Sequence, residues 1–296
     1  MPGEEDLRAA FDGLPAHAVA RFRAATRRNP AVAAFPDGFA RLSMTSRFGE
    51  HALSYRSAWH LADPATERPM PSDAQIARVI GTPDPMAFRL GGATLLRRLE
   101  AYLQQRLERP LAGFDAVLDW GCGAGRLSRY LGGRVRRLTG ADIDPDNVAA
   151  CAAQVPEGRF AVVGRDPPMP FADASFDLVV GVSVLTHLAE ADQQAWLAEL
   201  RRVTRPRGIV VLSVQGAVQS CLYRDSGAEM LRAQRDGVHV LGANPQLDGV
   251  LALDGYYKDV RHSADYLLAT LAADFDVLDH VPGLIALQDA VVLRRR

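Results

Sequence analysis

The chain has 296 residues, 48% of them hydrophobic, enough for a substantial core in one large domain or a domain with an extension. Lys and Arg number 34 against 35 Asp and Glu, a balance that gives neither the basic footprint of a nucleic-acid binder nor an acidic tail. The acidic start MPGEEDLRAAF is unlike a secretory signal, and no run approaches the ~18 apolar residues of a membrane span. Cys122, Cys151 and Cys221 lie far apart, with no C-x-x-C and no His at metal-ligand spacing. A reduced, cytoplasmic protein with no metal and no membrane or nucleic-acid partner is the expectation.

Up to residue 112 the chain is interrupted by Pro15, Pro30, Pro36, Pro64, Pro69, Pro71, Pro83 and Pro85. Short segments of helical periodicity lie between them, such as residues 17–28, so 1–112 reads as an N-terminal helical extension. Its clearest helix covers 93–109, where Leu95, Leu96, Leu99, Leu103 and Leu107 share one face. Tyr55 and Trp59 belong to this extension, which is read as closing one side of a site, and its helices offer a homodimer surface that no sequence feature decides.

From residue 113 to 296 strands alternate with helices: AVLDW, GRLSRYLG, RLTGADI, DPDNVAACAAQ, RFAVV, FDLVVGVSVL, EADQQAWLAELRRV, GIVVLSV. This order implies parallel strands joined by right-handed crossovers, an α/β fold with a doubly wound, Rossmann-like, mainly parallel sheet. Two further strand-like runs, 274–281 and 285–295, flank Pro282-Gly283, and a turn there makes them an antiparallel hairpin at one edge. Between the fifth strand and the next helix, 216–262 is an insertion with Tyr223, Tyr256 and Tyr257, read as a cover over the substrate.

The first strand-to-helix turn, VLDWGCGAGRL, carries Asp119 and then Gly121, Gly123 and Gly125. Glycines there permit backbone torsions and close ligand approach that a Cβ forbids. The next strand ends in Asp142, placed where an acid meets ribose hydroxyls. The third glycine of G-x-G-x-x-G is missing, since Arg126 stands there, and Asp119 opposes a pyrophosphate while suiting a cation. S-adenosylmethionine is a nucleoside of that kind.

VLDWGCGAGR with GADID resembles the first two motifs of the class I S-adenosylmethionine-dependent methyltransferases. PMPFADASFDLVVGVSVLTHL and ELRRVTRPRGIVVLSV are similar to that family's third to fifth strand segments. The likeness spans residues 113–215, and the variant resembles bacterial methyltransferases found beside glycosyltransferase or natural-product genes. The resemblance implies that Asp119, Gly121 and Gly123 hold the methionine part of the cofactor, and Asp142 the ribose. Ile143 then covers an adenine face and Arg165 or Asp166 meets its edge, with Arg126 and Ser183 completing the cofactor set together with Cys122, which reads first as a small residue packing inside the turn. Two positions depart from the family pattern: Arg165 follows Gly164 where many members carry an acid, and Pro206-Arg207-Gly208 replaces P-G-G.

Methyl transfer requires an aligned acceptor, exclusion of water and, for a hydroxyl acceptor, removal of a proton. His187, after the fourth strand, is the first candidate base and His262 the second; the alternatives are a loop-bonding and a surface histidine. His280 reads as structural. Asp289 orients one of the two candidate histidines, binds a substrate hydroxyl with Gln288, or pairs with an arginine. Tyr256, Tyr257 and Gln288 are the candidate substrate contacts. The expected activity is O-methylation of a sugar, glycoside or phenolic natural product, the alternatives being N- or carboxylate methylation, a nicotinamide-dependent oxidoreductase, or a non-catalytic module.

Overall fold

The structure, a computed structural model, describes residues 65, 68–216, 219–220, 227–244, 255–285 and 288–296. The expected helix over 17–28, and Tyr55, Trp59, Cys221 and Tyr223, lie outside the described residues. Among the described residues, no helix is long and apolar enough to cross a membrane.

Among the described residues, two α-helices precede the sheet: α1 (Asp73–Ile80), with a Ser72/Gln75 capping box at its start, and α2 (Pro85–Leu107). The latter starts eight residues before the expected 93 and runs through Gly91-Gly92. A Cβ on Gly92 would fall 2.1 Å from the Arg126 carbonyl oxygen, so the glycine permits a close approach to the segment after the first turn.

The sheet comprises β1 (Ala116–Trp120), β2 (Arg137–Asp142), β3 (Arg159–Val162), β4 (Phe176–Gly181), β5 (Thr204–Val214), β8 (Phe275–Ile285) and β9 (Gln288–Arg295). Its order is β3-β2-β1-β4-β5-β9-β8, with the first five strands parallel and β9 antiparallel to both neighbours. The order reverses between β1 and β4, which opens a crevice at their carboxyl ends. Arg207, where the family pattern has glycine, adopts φ 63° at the bend within β5.

The hairpin differs from the expectation in two respects. β8 runs through Pro282-Gly283 as a register irregularity between Val281 and Ile285, and Ile285 pairs with Gln288. A bulge accommodates a proline, which has no ladder donor. β9 is also an inner strand, flanked by β5 and β8, so Asp289 does not lie on an edge.

Both faces of the sheet are covered, which is why its strands are nearly continuous apolar runs. Val117, Leu178, Val211 and Val292 pack with Leu95, Leu96, Leu99 and Leu103 of α2. Leu118, Val179, Val210 and Val291 face the other way, against Trp196 and Leu200 of α5 (Glu190–Val203) and Leu267 and Leu271 of α7 (Ala264–Leu271). Shorter elements are α3 (Ser128–Leu131) and α4 (Pro145–Gln154), the latter capped by Asp144. The described part of the insertion contains α6 (Gly227–Asp236) and an antiparallel pair, β6 (Val238–Ala243) with β7 (Lys258–His262).

Candidate active site

A cavity of about 480 Å³ opens at the crevice between β1 and β4. Its walls come from the ends of β1, β2 and β4, from α1 (Arg78, Val79, Ile80), and from the insertion (Asn244, Tyr256, Tyr257, Asp259, Arg261). Of the residues singled out from sequence, Asp119, Gly121, Cys122, Gly123, Arg126, Asp142, Ile143, Ser183, His187, Tyr256, Tyr257 and Gln288 all line it.

The glycine turn shapes one end. Gly121, Gly123 and Gly125 have φ of 71°, 50° and 88°, a region that residues with a Cβ rarely enter. This bend delays the helix, so that regular α geometry begins only at Ser128, later than the sequence pattern suggests. A Cβ on Gly121 would lie 2.3 Å from Val184 Cγ2. Gly121→Ala is therefore expected to combine a torsional cost of about 1–2 kcal/mol with displacement of the segment leading to His187. Calorimetric titration with S-adenosylhomocysteine checks this, and unchanged affinity would show that the turn tolerates the methyl.

Asp119 is 2% exposed and accepts a 2.5 Å hydrogen bond from Ser128 Oγ. Burial raises its pKa to about 6, against the opposing effects of that hydrogen bond and of the Arg126 charge. The Asp142 carboxylate accepts from the Gly123 amide (2.7 Å) and the Asp144 amide (2.9 Å), which fixes it between the turn and α4. Burial raises its pKa as well. Two buried acids and a glycine cradle suit a cationic nucleoside bearing vicinal hydroxyls and oppose a pyrophosphate. Cys122 is buried and packs into the turn while lining the cavity.

His187, also on the cavity wall, closes a short 3₁₀ turn (Leu185–His187) and stacks on Tyr257, the ring centroids 4.4 Å apart and the planes 13° from parallel. Its Nδ1 lies 2.8 Å from the Lys258 carbonyl oxygen, which only accepts, so Nδ1 carries the proton. In the neutral ring Nε2 is then left with a lone pair. Burial lowers the pKa, more than the carbonyl contact raises it, and favours this neutral form.

The structure does not bring His262 to the cavity. It is 4% exposed, with Nε2 3.1 Å from Gln193 Oε1 and a pKa pushed down to about 3 by burial. The neighbouring Ser263 caps α7, as its sequence position suggests. Asp289 is not among the residues lining the cavity and, among the described residues, pairs with neither candidate base nor an arginine. Its carboxylate takes His280 Nε2 at 3.0 Å and the Gly283 amide at 3.2 Å, both supplied by the bulged strand β8. Arg165 and Asp166 are exposed and do not line the cavity. The Arg165 guanidinium lies over the Tyr256 ring, and its carbonyl accepts from Trp196 Nε1 and Tyr256 Oη.

Several wall residues had no local sequence signal. Arg78 Nε lies 3.0 Å from Asp144 Oδ2, and Gln75 donates to the Asp146 carbonyl, which together hold α1 against the start of α4. Gln215, after β5, accepts from Arg261 and donates to Asp259 at 3.2 Å. These groups are 44 to 71 residues apart in sequence and meet only in the fold.

Residues 118–212 match the family model described as a methyltransferase domain. A probable S-adenosylmethionine-dependent methyltransferase of Mycolicibacterium smegmatis is 34% identical over 129 residues, covering 44% of this chain and 49% of the relative. A malonyl-[acyl-carrier protein] O-methyltransferase of Serratia marcescens is 34% identical over 103 residues, covering 35% and 39%. The chain thus spans half or less of the length of these relatives. A solved 1,6-didemethyltoxoflavin-N1-methyltransferase of Burkholderia thailandensis superposes with a TM-score of 0.48 at 21% identity, covering 77% of this chain and 92% of that one. Residues 118–212 are thus similar to the methyltransferase domain of S-adenosylmethionine-dependent methyltransferases.

Proposed function

We propose that the protein methylates an oxygen of a small molecule, a sugar, glycoside or phenolic natural product, with S-adenosylmethionine as donor and His187 as general base. The observation that carries this reading is one cavity whose wall holds both the acid-flanked glycine turn and a neutral histidine. The oxygen acceptor is also in keeping with the relative named as an O-methyltransferase.

In this reading Asp119 faces the ammonium group of the cofactor, Asp142 its ribose hydroxyls, and Ile143 an adenine face, with Gly121 and Gly123 allowing close approach. When bound, S-adenosylmethionine supplies an activated methyl group on a sulfonium. The chain's own task is to align the acceptor and exclude water, which Val79 and Ile80 from α1 and Tyr257 from the insertion serve as cavity walls. His187 Nε2 takes the hydroxyl proton as the oxygen becomes a nucleophile, and Nδ1–H stays on the Lys258 carbonyl, holding the ring. An amine or carboxylate acceptor has no need of this lone pair.

Calorimetric titration with S-adenosylhomocysteine, S-adenosylmethionine and NAD in parallel tests the cofactor part. Binding of the first two alone is expected, and binding of NAD alone would refute it.

A further inference from the structure

The base of a nucleoside is bonded directly to its sugar, so the wall beside the group that meets the ribose also meets the base. In the reading above that group is Asp142, at the end of β2. β1 and its glycine turn flank β2 on one side and β3 flanks it on the other. On the β3 side the Val163 amide donates to the Asp142 carbonyl at 2.9 Å, and Val163, Ile143, Asp144 and Asn147 line the cavity. Arg165 and Asp166, expected at the base edge, are exposed and absent from that wall.

The other polar side chains of this stretch are paired. Asp142 takes the Gly123 and Asp144 amides. Asp144 caps α4 through the amides of Asp146 (2.9 Å) and Asn147 (3.3 Å), and Arg78 Nε lies 3.0 Å from its second oxygen. Trp196 Nε1 and Tyr256 Oη, also on the wall, both donate to the Arg165 carbonyl. Asn147 is different: it is 4% exposed, and its Oδ1 is buried with no hydrogen-bond partner among the described residues. A buried acceptor without a donor is destabilising, and a group left so on a cavity wall calls for a partner from the ligand.

A side-chain amide complements the edge of adenine, its oxygen accepting from the 6-amino group and its nitrogen donating to a ring nitrogen. The Asp144 cap fixes the Asn147 backbone, and rotation about Cβ–Cγ sets which end of the amide is presented. A neutral amide also suits a corner that already holds Asp142 and Asp144, where a third carboxylate would meet like charge.

We propose that Asn147 is a specificity-determining residue for the cofactor, its side-chain oxygen accepting from the 6-amino group of the adenine. The role expected of the segment after β3 thereby passes to the first turn of α4. This rests on the methyltransferase reading above.

The test is calorimetric titration of the full-length protein with two probes, S-adenosylhomocysteine and its analogue with hydrogen in place of the 6-amino group. The wild type is expected to bind S-adenosylhomocysteine about 3- to 10-fold more tightly than the analogue, the equivalent of one neutral hydrogen bond. Asn147→Leu and Asn147→Ala, checked for folding by thermal melts, should bring the ratio near one, with most of the loss falling on S-adenosylhomocysteine. Equal affinities in the wild type overturn the proposal. So does a folded variant in which both affinities fall by the same factor, since the ratio is then unchanged and Asn147 only shapes the wall. Loss of the fold, or of all binding, in both variants overturns it likewise. Failure of the wild type to bind either probe would instead bring down the methyltransferase reading itself.

Discussion

Asp119→Asn is expected to weaken S-adenosylhomocysteine binding about 10- to 100-fold at pH 8 while raising the stability of the unliganded protein. In the proposed reading, the loss follows from removing the anion that faces the ligand's ammonium group. The gain follows from the carboxylate's own burial, since the rise of its pKa from 3.8 to about 6 amounts to about 3 kcal/mol in favour of the protonated form. A raised acid pKa means that the folded state binds protons more tightly than the unfolded one. The wild type therefore gains stability as pH falls from about 6 toward 3.8 and holds a costly charge above 6. Asn removes that charge, so the thermal midpoint should rise at pH 8 and the difference should shrink at pH 5. The same proton governs binding. Below pH 6 it must leave before the ammonium can pair, and wild-type affinity should fall by up to tenfold per pH unit. Affinity that stays level between pH 5 and 8 would show that Asp119 does not meet the ligand's charge.

His187→Ala is expected to lower kcat about 10²- to 10⁴-fold with little change in cofactor affinity. In the proposed reading the neutral ring is the working form, and burial lowers its pKa below the usual 6.5, so wild-type turnover should hold through neutral pH and decline only on the acid side. The variant should lose this acidic limb. Retention of wild-type turnover and the same pH limb in His187→Ala would transfer the base role elsewhere or point to an acceptor that needs none. His262 serves as the internal comparison. It is buried on Gln193 away from the cavity, so His262→Gln should affect stability more than the pH profile, read by thermal melts and turnover together.

Much of the glycine turn and its two acids was legible in sequence because it is local. Left-handed torsions at Gly121, Gly123 and Gly125 require glycine, and Asp119 and Asp142 sit at the ends of adjacent parallel strands whose pairing brings Asp119 level with Gly140. The alternation of strands and helices likewise fixed the sheet class, since a strand buried on both faces leaves a continuous apolar run. The surroundings of the histidines and Asp289 were less legible. His187 and His262 stand in similar surroundings along the chain, each close to the start of a helix, yet one lines the cavity and the other packs on Gln193. Asp289 offered several partners in sequence, and a bulge at Pro282-Gly283 selected His280 and a backbone amide.

The sequence by itself determined the sheet class, the turn and the two acids, because each depends on torsions and spacings within a few residues. Only the tertiary structure decided which histidine faces the cavity, that α1 supplies a wall, and that Ser183 and Ser213 both donate to Gln288 Oε1. Those outcomes depend on burial and on hydrogen bonds between groups as much as 105 residues apart, and no local pattern encodes such distances.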